Sequence, residues 1–213
     1  ASEIGGHASG VDIADYDACD KFAQQVLAEH GGVDVLVNNA GRSIRRSIDL
    51  SHDRFHDFER TMQLTYFAVV RLTVALMASL LERGGHVVNI SSIGVLTNAP
   101  RFSAYVASKS ALEAFSRCAA SEFADRGITV NAILPGAVDT PMLRAGLGRG
   151  HAGHGDMQER LDNLARRTVS GKVGKPEEIA HAIYFLADSQ QSSFMTGQAL
   201  VVDGGATARL STE

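Results

Sequence analysis

Short apolar segments alternate with longer stretches of helical periodicity along most of this chain. The four clearest apolar segments have the length and residue types of buried strands, and they cover residues 33–37, 86–90, 129–134 and 199–202. A fifth and weaker strand candidate covers residues 7–11. Nearly continuous apolar strands that alternate with helices are typical of a parallel sheet with both faces covered. The alternation therefore predicts an α/β fold with a doubly wound parallel sheet.

Helical periodicity predicts five longer helices, over residues 17–29, 51–82, 104–125, 157–167 and 176–187. Gly84 and Gly127 are stop signals for two of them, and Pro176 suits the first turn of the last. The region over 51–82 is expected to run continuously or with one break. Apart from a stretch rich in glycine and histidine at 146–155, interpreted as a mobile loop, no repeat or linker divides the chain. Residues 1–213 are therefore predicted to form a single domain.

The composition excludes several functional classes. The 20 basic and 24 acidic side chains give a net charge of −4, which offers no electrostatic footprint for nucleic acid. The longest apolar stretch, residues 64–81, is interrupted by polar residues that include Arg71, so no membrane span of roughly 18 uncharged residues is expected. Two cysteines are too few for a disulfide framework, and a cytoplasmic location is the expectation.

Tyr105 and Lys109 are four residues apart on one predicted helix, so their side chains share a face. A lysine ammonium beside a phenol favours the phenolate and lowers the pKa of the phenol, which suits general acid or base chemistry on an alcohol or a carbonyl. A surface tyrosine and a solvated lysine have the same spacing by chance in many helices. The context favours catalysis, because Ser92 ends the strand over 86–90 and ligands of parallel sheets bind at the carboxyl ends of strands.

Small residues follow two further strands, where they allow a ligand to approach the backbone closely. Asn-Asn-Ala-Gly at 38–41 follows one strand, and Pro-Gly at 135–136 follows another. Because the carboxyl ends of parallel strands lie at one edge of a sheet, these segments are predicted to share a cleft with Ser92, Tyr105 and Lys109.

In these motifs the chain resembles the short-chain dehydrogenase/reductase family. The resemblance implies a Rossmann-like fold and an NAD(P)-dependent oxidoreductase that interconverts a secondary alcohol and a ketone, or an alcohol and an aldehyde, by hydride transfer. It also implies NADP or NAD as cofactor, a small-molecule alcohol or carbonyl substrate, and a homodimer or homotetramer. The matching segments occur in the family's order and are Asp12, 38–41 (Asn-Asn-Ala-Gly), 89–92 (Asn-Ile-Ser-Ser), 105–109 (Tyr-Val-Ala-Ser-Lys), 130–136 (Val-Asn-Ala-Ile-Leu-Pro-Gly), 140–142 (Thr-Pro-Met), 174–179 (Gly-Lys-Pro-Glu-Glu-Ile), 196–198 (Thr-Gly-Gln) and 202–205 (Val-Asp-Gly-Gly).

The resemblance also implies roles for residues at the matching positions. Tyr105 would exchange a proton with the substrate oxygen, and Ser92 would hydrogen-bond that oxygen as charge develops on it. Lys109 would lower the pKa of Tyr105 and bind the nicotinamide ribose, and Thr65 would take part in the proton relay behind it. The other implied cofactor-binding residues are Asp12 for the adenine, Asn39, Ala40 and Gly41 for the adenosine side, Pro135 and Gly136 for the nicotinamide ring, Val138 and Thr140 for its carboxamide, and Ile90.

Two features depart from the family pattern. Thr65 stands where the family has an asparagine that supports a relay water, which predicts a weakened relay, although Gln63 lies close enough to leave the alignment open. No Thr-Gly-x-x-x-Gly-x-Gly turn precedes Ala1, so strands 1 and 2 of the family sheet and the pyrophosphate-binding helix N-terminus are expected to be missing. This predicts a domain incomplete at its N-terminus, with a two-strand gap in its sheet. The rival function is a catalytically inactive fragment that binds no cofactor and retains only its fold and its subunit-association surfaces.

Three smaller features leave alternatives open. Up to about Ser121 the chain is similar to fatty acyl-CoA or fatty aldehyde reductases, whereas its last third is similar to 3-oxoacyl-carrier-protein reductases or sugar-alcohol enzymes. The three arginines of 42–46 either meet a phosphate of NADP or of a coenzyme A substrate, or belong to a solvated loop. The glycines of 148–153 match G-x-G-x-x-G but follow no strand, so they are interpreted as a loop. His52 and His56 share a helix face, and no metal site is expected there.

Overall fold

The computed structural model describes residues 4–148 and 155–208. Its sheet is fully parallel, and its four strands lie side by side in chain order. They are β1 (Val35–Asn38), β2 (His86–Ile90), β3 (Thr129–Pro135) and β4 (Ala199–Val202). All four coincide with the clearest apolar segments of the sequence, which confirms the predicted parallel α/β fold.

Nine helices connect or flank these strands in the described residues. The stop signals at Gly84 and Gly127 are confirmed, because both glycines take the left-handed conformation, at φ 59° and φ 80°, directly after a helix. The helices are α1 (Tyr16–His30), α2 (His56–Met62), α3 (Ala68–Arg83), α4 (Gly94–Thr97), α5 (Ser103–Phe123), α6 (Pro141–Gly148), α7 (Met157–Ala165), α8 (Pro176–Ala187) and α9 (Ser189–Ser192), with 3-10 turns at Ile48–Leu50, His52–Arg54 and Ala124–Arg126.

The predicted helical region over 51–82 is broken rather than continuous. α2 passes through a π-helical turn, Gln63–Phe67, before α3 begins. A π-helical turn inside a longer helix is uncommon and often occurs at a functional site. Within this turn Thr65 is fully buried, and it is one of the residues that the family resemblance singled out.

The weak strand prediction for residues 7–11 is wrong, because this segment is irregular in the structure. A strand needs a neighbour for its backbone hydrogen bonds, and in the described part of the chain no strand pairs with this segment. Glycine and aspartate are also poor strand residues. The segment ends in a turn that leads into α1, where Asp15 caps the helix by accepting from the amides of Asp17 and Ala18. The two-strand gap that was expected in the sheet is absent as well, since each of the four described strands is hydrogen-bonded to the next.

Helices cover both faces of the sheet, as the near-continuous apolar strands predicted. Val87 and Val88 are both fully buried, and they point to opposite faces because side chains alternate along a strand. Val87 belongs to a core with side chains of α1, α3 and α5, including Ala23, Leu80 and Ala120. Val88 belongs to a second core, which it shares with Ile90, Ile133, Leu186 and other side chains of α8.

One helical run in the described residues, His52–Arg83, is long and apolar enough to match a membrane span in length and composition. Of its most apolar window, 44% is buried inside the protein. Its second half, α3, packs against α1 and β1. The core therefore accounts for part of the apolar character of this run, while side chains such as Val74 stay exposed.

Candidate active site

The candidate site lies along the carboxyl edge of the sheet, as predicted from the residues that follow the strands. The amide of Ser91 donates to Ile133 O at 2.8 Å, and that of Ile93 donates to Pro135 O at 3.1 Å, so the backbone beyond β2 stays attached to β3. This pairing fixes the position of Ser92, which lies between them. α5 crosses the same edge and carries Tyr105 and Lys109.

A buried chain of polar side chains fixes α5 relative to the sheet. Asn38 of β1 donates its side-chain amide to Asn89 Oδ1 of β2 at 2.8 Å, and Asn89 donates to Ser116 Oγ of α5 at 2.8 Å. Asn89 and Ser116 are at most 2% exposed, so each hydrogen bond is shielded from water. The sequence analysis assigned no such role to these residues, although two asparagines within apolar strands are a signal that could have identified them.

The side chains of Ser92 and Tyr105 are neighbours at this edge. The amide of Gly94 donates to Ser92 Oγ at 3.1 Å, which orients the serine. Burial raises the pKa of the Tyr105 phenol, and the Ser92 hydroxyl and the positive charge of Arg45 oppose that rise only in part. The phenol is therefore protonated at neutral pH and can act as a proton donor.

Lys109 is 3% exposed, and its ammonium donates to the carbonyl oxygen of Ile90 at the end of β2. Burial lowers the pKa of Lys109 to about 8. Its Nζ lies 5.9 Å from the centroid of the Tyr105 ring. The ammonium binds backbone in this structure, and the lowering of the Tyr105 pKa by Lys109 stays a prediction.

Gly41, Thr65 and Lys109 lie close together at this edge of the sheet. A Cβ built on Gly41 would lie 3.5 Å from Lys109 Nζ and 3.9 Å from Thr65 Oγ1. Thr65 is fully buried, and its hydroxyl has no hydrogen-bond partner within the described residues. Gln63 instead donates to Ala14 O at 2.8 Å, on the side of α1. Of the two residues between which the alignment was left open, Thr65 is therefore the one that lies near Lys109.

The unpartnered hydroxyl of Thr65 is expected to lower the free energy of unfolding of the protein. Thr65→Val removes a buried polar group that has no partner, so we expect the free energy of unfolding in urea to rise by about 1 kcal/mol. Thr73→Val is the matched control, because Thr73 is equally buried but donates to Val69 O at 2.8 Å. That variant is expected to lose about 1 kcal/mol. A loss of stability in Thr65→Val would mean that its hydroxyl is satisfied in solution.

The residues implied for the adenosine side lie at one end of the same edge. Asn39 and Ala40 are exposed after β1, and Asp12 lines a cavity of about 540 Å³ together with Arg42 and Gln63. The Asp12 carboxylate accepts from the amide of Ala14 at 3.0 Å, which orients it. A second cavity, of about 780 Å³, lies between α8 and the start of β1 and contains none of the predicted site residues.

The residues implied for the nicotinamide side follow β3. Gly136 has a structural reason to be glycine, since a Cβ there would lie 2.8 Å from Asp203 Cα. Its amide donates to Val202 O at 3.0 Å, which continues the pairing with β4 beyond Pro135. Val138 forms an isolated parallel bridge with Gly174, and Thr140 accepts from the Leu143 amide at 3.2 Å at the start of α6.

The three arginines after β1, at first considered as one cluster, have three different environments. Arg42 lines the cavity that holds Asp12. Arg45 lies over the ring of Phe102, with 4.2 Å between the guanidinium carbon and the ring centroid. Arg46 forms an ion pair with the nearly buried Asp57 at 2.9 Å. The solvated-loop interpretation is therefore wrong for Arg45 and Arg46, which both bind other side chains.

Two further sequence features have no supported role in the site. Gly148 is the last residue of α6, whereas the rest of the G-x-G-x-x-G pattern lies outside the described residues. The interpretation of 146–155 as a loop is wrong at its start, because Gly146 and Leu147 are buried in α6. In the described part of the chain, no group of three or more histidine, cysteine, aspartate or glutamate side chains is placed to hold a metal ion.

Comparison with known proteins identifies the family. The family model described as "Enoyl-(Acyl carrier protein) reductase" matches residues 1–207. A 3-oxoacyl-[acyl-carrier-protein] reductase of Thermotoga maritima is 33% identical over 201 residues, which is 92% of this chain and 74% of that protein. The chain therefore belongs to the short-chain dehydrogenase/reductase family, a family of oxidoreductases, as its motifs indicated.

Another relative has a higher identity to this chain over a smaller part of its own length. A fatty acyl-CoA reductase of Acinetobacter baylyi is 54% identical over 142 residues, which is 65% of this chain but only 48% of that protein. The chain thus matches about half of this longer relative.

Among solved structures, a gluconate 5-dehydrogenase of Burkholderia cenocepacia in complex with NADP and tartrate has a TM-score of 0.83 and 30% identity, covering 93% of this chain and 74% of that chain.

Proposed function

We propose that this chain is an NAD(P)-dependent oxidoreductase that interconverts an alcohol and a ketone or aldehyde. The observation that carries the proposal is the position of Ser92 at the end of β2 beside Tyr105, with the buried ammonium of Lys109 near the Tyr105 ring. A serine and a protonated tyrosine placed side by side offer two donors for one substrate oxygen. No acid or base outside this cluster is needed for the proton that the reaction transfers.

The residues present fit a nicotinamide dinucleotide at both of its ends. Gly41 leaves space beside Lys109 Nζ and Thr65 Oγ1, and the Thr65 hydroxyl has no partner in the described residues. Lys109 is suited to hold the nicotinamide ribose hydroxyls, and Asp12 with the exposed Asn39 and Ala40 is suited to hold the adenosine. Pro135, Gly136, Val138, Thr140 and Ile90 are proposed to line the remaining surface.

The chemistry of this chain's own residues is proton transfer and oxyanion binding. When bound, a nicotinamide cofactor supplies or accepts the hydride. Ser92 hydrogen-bonds the carbonyl oxygen, and Tyr105 donates its phenolic proton to that oxygen during reduction, which leaves a phenolate. In the reverse direction that phenolate accepts the proton from the alcohol. The raised pKa of Tyr105 keeps this proton in place at neutral pH. A proton relay through Thr65 is expected to be weaker than one through asparagine, because the threonine side chain is shorter than that of asparagine. This weakening stays a prediction.

The proposal is tested first by cofactor binding, followed through the fluorescence of NADPH and NADH. We expect saturable binding by the 213-residue chain, and about tenfold weaker binding, equivalent to ~1.4 kcal/mol, by Gly41→Ala. The added methyl group would meet Lys109 Nζ and Thr65 Oγ1 at 3.5 and 3.9 Å, ordinary contact distances that fill the space without unfolding the protein. Gly10→Ala is the matched control, because a Cβ at Gly10 would meet nothing within 4 Å.

The rival function, an inactive chain that binds no cofactor, makes the opposite prediction. The absence of any saturable fluorescence change with either nucleotide would support that rival and overturn the proposal. Equal binding by wild type and Gly41→Ala would place the cofactor away from Lys109 and contradict the assigned site.

A cytoplasmic homodimer or homotetramer is part of the proposal. Exposed apolar side chains along the helical run that contains α3, such as Phe67 and Val74, support the assembly.

A further inference from the structure

A buried carboxylate joins α5 to the end of β2, and the proposed mechanism does not use it. Ser91 is 3% exposed, and its hydroxyl donates to Glu113 Oε1 at 3.1 Å and lies 3.5 Å from Lys109 O, which is a weaker contact. Glu113 is 9% exposed and lies one helical turn after Lys109, on the same face of α5. The contact therefore joins the residue before Ser92 to the helix face that carries Tyr105 and Lys109.

The carboxylate of Glu113 is held in one orientation because its two oxygens have different partners. Oε1 accepts from Ser91, whereas Oε2 lies 3.5 Å from the guanidinium of Arg117, whose side chain is 59% exposed. A carboxylate is costly to bury unless such contacts satisfy it, so Glu113 must stay opposite Ser91. A hydrogen bond to a charged acceptor is also stronger than one between neutral groups. This turn of α5 is therefore fixed against the end of β2.

Two further side chains link the end of β2 to α5, but neither can replace Glu113. One link reaches α5 at Ser116, about three helical turns beyond Tyr105. The other is made by the ammonium of Lys109, which the proposed function also assigns to the cofactor ribose. The contact through Glu113 lies closer to Tyr105 along the helix than the first link does, and it uses no group that takes part in the reaction.

We propose that Glu113 is a positioning residue that holds Tyr105 at the correct distance from Ser92. It acts through Ser91, whose amide donates to Ile133 O, so the end of β2 is already held by β3 and the helix is the element that Glu113 positions. This inference rests on the proposed function and adds to it a residue outside the reacting groups. Two donors act on one substrate oxygen only when their separation is correct, and a displacement of about 1 Å can lower turnover by roughly a hundredfold.

The first test measures this distance directly, in crystal structures of wild type and Glu113→Leu. Leucine has a similar size and cannot accept from Ser91, and replacing a buried charge with an apolar group is often neutral for stability. We expect the distance between Ser92 Oγ and the hydroxyl of Tyr105 to increase by about 1 Å in this variant. Ser91→Ala breaks the same contact from the strand and should give the same increase. Urea unfolding of each variant shows that it is folded.

The second test measures turnover, as the oxidation of NADPH or NADH with phenanthrenequinone or decanal as the carbonyl probe. We expect kcat to be about tenfold lower in Glu113→Leu, with KM and the dissociation constant of the nucleotide unchanged, because a displaced proton donor slows the chemical step and removes no binding contact. A residue with a merely structural role would lower stability and leave kcat of the folded protein unchanged. Ser91→Ala should lower kcat equally, and the double variant should lower it no further, because both changes break one contact.

Glu122→Leu is the matched control, because Glu122 is exposed near the end of α5 and its substitution should change neither the distance nor kcat. Glu113→Gln keeps an oxygen that can accept from Ser91 and should retain most of the turnover. A wild-type distance or an undiminished kcat in both Glu113→Leu and Ser91→Ala overturns the inference. Where wild type reduces neither probe, the distance alone decides. Because the distance needs no nucleotide, a chain in which Glu113→Leu displaces Tyr105 but which binds neither NADPH nor NADH contradicts the proposed function alone.

Discussion

Tyr105→Phe is expected to reduce the turnover of a carbonyl substrate by about a thousandfold while NADPH still binds. The variant removes only the phenolic hydroxyl, which lies near Ser92 and whose raised pKa keeps its proton in place at neutral pH. The ring remains and preserves the packing against Phe102. The measurement is the rate of NADPH oxidation with an excess of carbonyl substrate, together with the dissociation constant for NADPH from fluorescence.

Tyr184→Phe is the matched control for this prediction. Tyr184 lies on α8 and is 69% exposed, and it contacts none of the site residues, so its hydroxyl should be dispensable. Turnover in Tyr105→Phe within tenfold of wild type would show that another group supplies the proton. Parallel losses of turnover and of NADPH affinity would instead indicate that the phenol acts through the cofactor.

The central architecture of this chain was predictable because it depends on local pattern. Each strand is a short apolar run followed by turn residues, and this pattern can be identified without any distant contact. The segment over 7–11 has the weakest pattern of the five candidates, with Gly10 inside it, and it is the one that forms no strand. A strand depends on a neighbour as much as on its own residues, and nothing in a local pattern indicates whether that neighbour is present.

The shared position of Tyr105 and Lys109 was predictable from the sequence, whereas the electrostatics around them were not. The spacing of Tyr105 and Lys109 places both on one face of α5, and the structure confirms that shared position. The spacing does not indicate how deeply each group is buried, and burial is the largest influence on the pKa of both. The sequence also does not indicate that Arg45 lies over the ring of Phe102, a contact between two loops that are distant in sequence.

Lys109→Met is expected to change how stability depends on pH. Burial lowers the pKa of Lys109 from 10.5 to about 8 in the folded protein. Between these values the unfolded chain holds a proton that the folded chain has released, so the free energy of unfolding of wild type should rise as the pH increases. The shift corresponds to roughly 3 kcal/mol, a penalty fully present below pH 8 and relieved by pH 10.5. Urea unfolding of Lys109→Met across this range should lack the rise.

Lys21→Met separates this effect from the titration of other groups, because Lys21 is exposed on α1 and its substitution should leave the rise in place. The difference between Lys109→Met and wild type is the informative quantity, since tyrosines and cysteines titrate over the same range in both. At pH 7 the variant should be the more stable of the two, because a buried charge is removed, although the hydrogen bond to Ile90 O is lost with it. A rise of equal size in Lys109→Met would mean that water reaches Lys109 in solution, and the buried ammonium assigned to the cofactor ribose would then be incorrect.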